Sequence, residues 1–201
     1  MWGNLEIESR SSDSAMWPKP RGWVEVIAGS MFSGKTEELL RRLRRAMIAK
    51  QQCLLVKPKI DNRYAEDYVV SHDQNRLACV ALEDPLEILR LAEPFSVLGI
   101  DEAQFFSADL AKVCDQLAER GKRVIVAGLD QDYRGEPFGA MAALMISAEY
   151  VTKQLAICMR CGSPATKNQR LVESDSQVLV GAKDLYEARC RHCFEPPLSA
   201  C

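Results

Sequence analysis

Apolar and polar positions alternate along the chain between two periods. Residues 23–28 (WVEVIA), 52–57 (QCLLVK), 96–100 (SVLGI) and 123–127 (RVIVA) are short and largely apolar, which predicts four buried strands, and 151–157 (VTKQLAI) reads as a fifth strand. Between them the period changes to that of a helix. In residues 37–50, Leu39, Leu40, Leu43, Ala46 and Met47 recur at helical spacing. Residues 107–120 repeat the pattern and close on Gly121, and shorter helices are predicted at 85–91 and 139–147. Residues 68–82 are ambiguous, with short strands either side of Ser71-His72-Asp73. Strands alternating with helices predict an α/β fold: a parallel sheet with helices on both faces. After Cys158 the pattern breaks into short strands and loops. The expected organisation is therefore a polar, disordered tail over 1–21, an α/β unit over 22–157, and a small unit over 158–201. Met16 offers an alternative start, since little before it can form a core.

The junction of the first strand and helix carries the strongest motif. Gly29-Ser30-Met31-Phe32-Ser33-Gly34-Lys35-Thr36 fits G-x-x-x-x-G-K-[ST], in the strand–loop–helix setting that a phosphate-binding loop requires. Glycines let backbone N–H groups turn towards phosphate oxygens, and the following helix adds its dipole. Lys35 is placed to reach β- and γ-phosphates, and Thr36 to hold magnesium. The third strand ends in Asp101-Glu102. A carboxylate at that place faces the phosphate loop, so Asp101 is the second candidate magnesium ligand. Glu102, one residue on, is the candidate general base.

The chain has 201 residues and a formal net charge of −2. That balance gives no electrostatic footprint for broad nucleic-acid binding. The arginines at 41, 42, 44 and 45 are read as a solvated helix face. No apolar run approaches the ~20 residues of a membrane span, and no signal core is visible at the N-terminus, so a cytoplasmic protein is expected. Eight cysteines are many for that compartment, where a disulfide framework is disfavoured. Four form two C-x-x-C pairs, Cys158/Cys161 and Cys190/Cys193, which suit tetrahedral zinc with no open position, hence a structural site. The gap between the pairs exceeds the ~15–20 residues of common ribbons, so a sizeable loop must lie between them. His192 is a spare, and Cys53 and Cys114 are read as small apolar core residues.

Together these segments resemble the type II thymidine kinases. The resemblance is carried by 29–36, Asp61-Asn62-Arg63-Tyr64, residues 99–106 (GIDEAQFF), Gly128-Leu129-Asp130, Tyr133, Pro137-Phe138-Gly139, the cysteine pairs and residues 181–186. It implies phosphoryl transfer from ATP to the 5′-hydroxyl of thymidine, with Glu102 as base and Phe105 stacked on thymine. Met31 would lie near the base methyl group, Tyr133 would line the base pocket, and Tyr186 would pack on the ring or sugar. Arg63 would approach the phosphoryl groups and Asp61 the metal. Ala103 and Gln104 fall within the same substrate segment. Backbone groups of Gln177, Val178, Leu179, Val180 and Gly181 would read the base edge from a lasso between the cysteine pairs. A homotetramer is also implied. Ala103 and Tyr133 stand where many relatives have glycine and phenylalanine. Two other readings share the motifs: a phosphate-loop ATPase with a zinc ribbon, and a nucleic-acid-binding module that uses nucleotide as a switch.

Overall fold

The computed structural model describes residues 22–59, 78–172 and 185–196. The tail, Asp61, Arg63, Tyr64, His72 and the stretch Gln177 to Gly181 lie outside the described residues.

Six parallel strands form one sheet. They are β1 (Trp23–Gly29), β2 (Cys53–Pro58), β3 (Ala78–Leu82), β4 (Val97–Ile100), β5 (Arg123–Leu129) and β6 (Tyr150–Gln154), in the spatial order β3-β2-β4-β5-β1-β6. The central strands are apolar on both faces, as strands covered by helices on both sides must be. On β1, Val24, Val26 and Ala28 face one way and Ile27 the other. The first set packs with helices α2 (Ile88–Leu91), α3 (Asp109–Glu119) and α4 (Met141–Ser147). The second packs with α1 (Lys35–Ile48) through Leu39, Leu43 and Ala46. Gly99 of β4 lets α1 approach closely, since a Cβ there would lie 2.6 Å from Leu43 Cδ1.

Among the described residues the strands and helices expected from periodicity are present, with two differences; of the short strands expected either side of Ser71-His72-Asp73, the second is β3 and the first lies outside the described residues. The segment 151–157, expected as one strand, is two. It leaves the sheet after Gln154, and β7 (Ala156–Ile157) pairs instead with β8 (Pro164–Ala165). β9 (Lys167–Arg170) and β10 (Tyr186–Arg189) form a second antiparallel pair around the cysteines. The other difference concerns the arginines of α1. Arg41, Arg44 and Arg45 are exposed, but Arg42 turns inward. Its guanidinium donates to Glu25 Oε2 at 2.8 Å and to Thr152 Oγ1 at 3.0 Å. Glu25 is buried on β1 and also accepts from Arg123 Nε at 2.6 Å and from Trp23 Nε1 at 2.7 Å. Burial pushes the Glu25 carboxyl up, but its partners, Arg123 foremost, outweigh that and hold it below its ordinary range. A helical-face reading cannot foresee a buried carboxylate on the neighbouring strand that needs the cation.

Among the described residues no helix is long and apolar enough to cross a membrane.

Candidate active site

The carboxyl ends of β1, β4 and β5 lie side by side, with β5 in the middle. Parallel sheets place ligands at this edge. The loop after β1 carries the phosphate-binding motif. Gly29 ends the strand where Gln154 of β6 comes close, and a Cβ on it would meet the Gln154 carbonyl at 2.3 Å. Gly34 takes a left-handed conformation, φ 83° and ψ 23°, and starts α1 without a side-chain cap. The first amides of α1 therefore face the loop, where an anion can accept from them.

Lys35 turns back along the loop, and its ammonium donates to the Ser30 carbonyl at 2.7 Å. Ser33 Oγ donates to the same oxygen at 2.8 Å. Burial pushes the Lys35 ammonium below its ordinary range, against the opposing pull of Glu102, Asp101 and Asp130. A buried cation held on a neutral carbonyl is ready for a polyanion that can replace it.

The Thr36 hydroxyl donates to Asp101 Oδ2 at 3.0 Å. This joins the start of α1 to the end of β4. Burial, then the charge of Glu102, pushes the Asp101 carboxyl up to about 6. Its oxygens and the Thr36 hydroxyl are hard donors of the kind magnesium takes. Glu102 follows in a left-handed conformation, φ 52° and ψ 37°, which costs a non-glycine residue ~1–3 kcal/mol. The turn leaves the Glu102 side chain exposed while Ala103, Gln104 and Phe106 are buried. Gln104 Nε2 donates to Glu102 Oε2 at 2.6 Å.

Phe105 is half-buried and meets Phe138 edge-on, with centroids 5.4 Å apart and planes at 81°. Phe106 belongs to the core. Of the two phenylalanines, then, Phe105 is the one left available to a ligand. Tyr133 is buried, and the Arg170 guanidinium lies over its ring, 3.4 Å from the centroid. Arg170 also donates through Nη2 to the Tyr186 hydroxyl at 2.7 Å. Tyr133, Arg170 and Tyr186 thus form one cluster, with one face of Tyr133 already covered.

Arg170 is absent from the set expected from sequence, and so is Asn168. Asn168 is buried; its Oδ1 accepts from the Met31 backbone N–H at 2.7 Å, and its Nδ2 donates to the Gln131 carbonyl at 2.8 Å. It ties the phosphate loop to β9. The signal was faint: Asn168 and Arg170 share a face of a four-residue strand whose buried positions alternate.

The sulfurs of Cys158, Cys161, Cys190 and Cys193 lie within 4.8 Å of one another, those of Cys161 and Cys190 at 3.6 Å. Tetrahedral zinc with Zn–S near ~2.3 Å sets its sulfurs ~3.8 Å apart, so the group fits. Each pair is folded into a tight turn, by Gly162 N–H donating to the Cys158 carbonyl and Cys193 N–H to that of Cys190. For Cys158 burial acts to raise the thiol, but backbone N–H groups outweigh it and bring it down to about 6. The Cys193 S–H donates towards the sulfurs of Cys161 and Cys190, which favours its protonated form and pushes it up to about 12. Four crowded thiols cannot all ionise without a cation between them. The cluster can therefore hold a metal such as zinc. His192 is exposed and stands outside it.

The family model described as thymidine kinase matches residues 22–194. A thymidine kinase of Rhodothermus sp. (strain ITI 518) is 58% identical over 176 residues, 88% of this chain and 83% of its own. A thymidine kinase of Bdellovibrio bacteriovorus (strain ATCC 15356 / DSM 50701 / NCIMB 9529 / HD100) is 54% identical over 181 residues, 90% of this chain and 89% of its own.

The raised Asp101 group yields a stability prediction. Its folded value, about 6, lies above its ordinary 3.8. The ionised buried carboxylate therefore costs stability above pH ~6, and the cost fades as pH falls towards ~4. Asp101→Asn is expected to raise the melting temperature of the nucleotide-free, metal-free protein by several degrees at pH 7.5, on a scale of ~2–4 °C per kcal/mol. The gain should shrink steadily towards pH 4. Calorimetry across that range checks it, and a gain that grows on acidification would contradict the assignment.

Proposed function

The chain belongs to the thymidine kinase family, and we propose that it transfers the γ-phosphoryl group of ATP to the 5′-hydroxyl of thymidine. The observation that carries this is the Thr36–Asp101 contact, which sets the phosphate loop and Glu102 on either side of β5. In such a transfer the protein chiefly positions the groups and neutralises charge. Lys35 exchanges the Ser30 carbonyl for phosphate oxygens, and the amides at the start of α1 take the rest of that charge. Thr36 and Asp101 would hold magnesium, which supplies further charge neutralisation when bound. Glu102, exposed at the mouth, accepts the proton of the 5′-hydroxyl.

The nucleoside is read as lying against Phe105, with Met31 near its methyl group and Tyr133 and Tyr186 behind it. The buried Tyr133–Arg170–Tyr186 cluster supports a stiff wall on that side. Backbone groups of residues 177–181 reading the base edge, and Arg63 near the phosphoryl groups, enter on the family likeness alone. The division into a nucleotide-binding unit over 22–157 and a lasso unit over 158–201 rests on the change of pattern after Cys158, and the name lasso on the family likeness. Self-association as a homotetramer belongs to the same reading. Its support here is an uncovered apolar edge at β6, where Tyr150 is 60% and Ile146 of α4 86% exposed. A reducing, cytoplasmic setting suits the four thiols.

Zinc is proposed as the metal of the cysteine cluster, in a structural role. Freshly purified, reduced protein is expected to contain about one zinc per chain. Elemental analysis that finds active protein without zinc would refute it.

The deciding assay is phosphoryl transfer from ATP across the deoxynucleosides. Thymidine should have the highest kcat/KM. Deoxyuridine lacks only a methyl group and should be poorer by ~10–200-fold. Deoxycytidine reverses the donor and acceptor at the base edge and should fall ~10⁴-fold or more behind, as where a site is built to hydrogen-bond its substrate. Deoxycytidine within tenfold of thymidine would overturn the assignment.

A further inference from the structure

Gln104 follows the proposed base by two residues, yet its side chain is turned inward and is only 2% exposed. Both ends of its amide are engaged. Oε1 accepts from the Leu129 backbone N–H at 2.9 Å, and Nε2 donates to Glu102 Oε2 at 2.6 Å. The first bond fixes the second. Leu129 presents an N–H, so the carbonyl end must face β5 and the NH₂ end must face Glu102.

The surrounding chain leaves room for this amide. A Cβ on Gly128 would stand 2.9 Å from Gln104 Oε1 and 2.5 Å from Met141 Sδ. A Cβ on Gly139 would stand 2.0 Å from the Gln104 backbone carbonyl oxygen, so this glycine makes room for the main chain that carries the amide. Glu102 itself sits on the left-handed turn described above, and its side chain is exposed. An exposed carboxylate on such a turn has several rotamers open to it. The Gln104 amide selects one.

We propose that Gln104 is a positioning residue: it couples the end of β5 to Glu102, holds that carboxylate at the reaction site, and does not itself contact the nucleoside. This rests on Glu102 being the base. Losing the bond frees the Glu102 rotamer, and misplacement of a reacting group by about 1 Å costs on the order of a hundredfold.

The test uses the full chain with saturating ATP and thymidine. Gln104→Met keeps the volume and removes both hydrogen bonds. Its kcat should fall about ten- to a hundredfold, with KM for thymidine and for ATP within about threefold of the parent. Gln104→Glu is close to isosteric and can still accept from Leu129, but it sets a second carboxylate against Glu102. Its kcat should fall by a similar factor, and it carries the test if the methionine variant does not fold. Single-turnover rates at high enzyme concentration are then compared in the Glu102→Ala background. There, adding Gln104→Met should change the rate less than about twofold, because the group it positions is gone.

Full kcat in a folded Gln104→Met or Gln104→Glu variant would overturn the proposal. So would a raised thymidine KM at unchanged kcat, which marks a nucleoside contact, or an equal loss with and without Glu102, which marks a structural role. Wild-type kcat in Glu102→Ala alone would instead remove Glu102 as the base, and the positioning role with it. Loss in Glu102→Ala beside full activity in the Gln104 variants would spare the base and reject only the positioning.

Discussion

The hydrogen bond from Thr36 to Asp101 spans two elements that are far apart in sequence and separated by a strand in the sheet. It forms across β5, which lies between β4 and β1: Gly29 at the end of β1 stands opposite Leu129, and Ile100 at the end of β4 stands opposite Val126, three residues earlier on β5. The buried apolar faces of those strands fix that register, since a slip of one residue would turn Val26 and Val126 to the wrong face. The site thus inherits its geometry from core packing. The cost appears locally as a buried carboxylate with a raised pKa and a strained turn at Glu102, and the core over-determines both.

A second tie runs from the cysteine module. Asn168 joins the Met31 amide to the Gln131 carbonyl, and Ser30 Oγ reaches the Ala165 carbonyl at 3.4 Å. The phosphate loop is therefore held from two sides, by β4 through Thr36 and by β8 and β9 through Ser30 and Met31. Among the described residues the module has a small apolar cluster, Ala156, Ala165, Ala188 and the cysteines. A core of that size gives little stability, and a metal held by the four cysteines would add to it.

Much of this was legible in the chain. The sheet followed from β-branched runs, and α1 from the recurrence of Leu39, Leu43 and Ala46. The phosphate loop and the cysteine pairs are local motifs whose spacing carries their chemistry. What was hidden depends on partners distant in sequence. Arg42 looks like its exposed neighbours until Glu25 is placed beside it. The run 151–157 (VTKQLAI) is short and mixed in polarity, so periodicity does not show that it leaves the sheet at Gln154; that follows from Ala156 pairing with Ala165. Asn168 and Arg170 lie in a strand too short to announce itself. Gln104 was visible only as part of a substrate segment, because the Leu129 N–H that orients its amide is twenty-five residues away.

In the proposed transfer Glu102 and the phosphate loop meet at one oxygen atom. A crystal structure of the full chain with magnesium, a non-transferable ATP analogue and thymidine measures this directly. The 5′-oxygen of thymidine should lie within about 3.2 Å of a Glu102 carboxylate oxygen. The Lys35 ammonium should have left the Ser30 carbonyl for the phosphates. A nucleoside whose 5′-oxygen reaches Glu102 neither directly nor through one water, with Lys35 still on Ser30, would contradict the account.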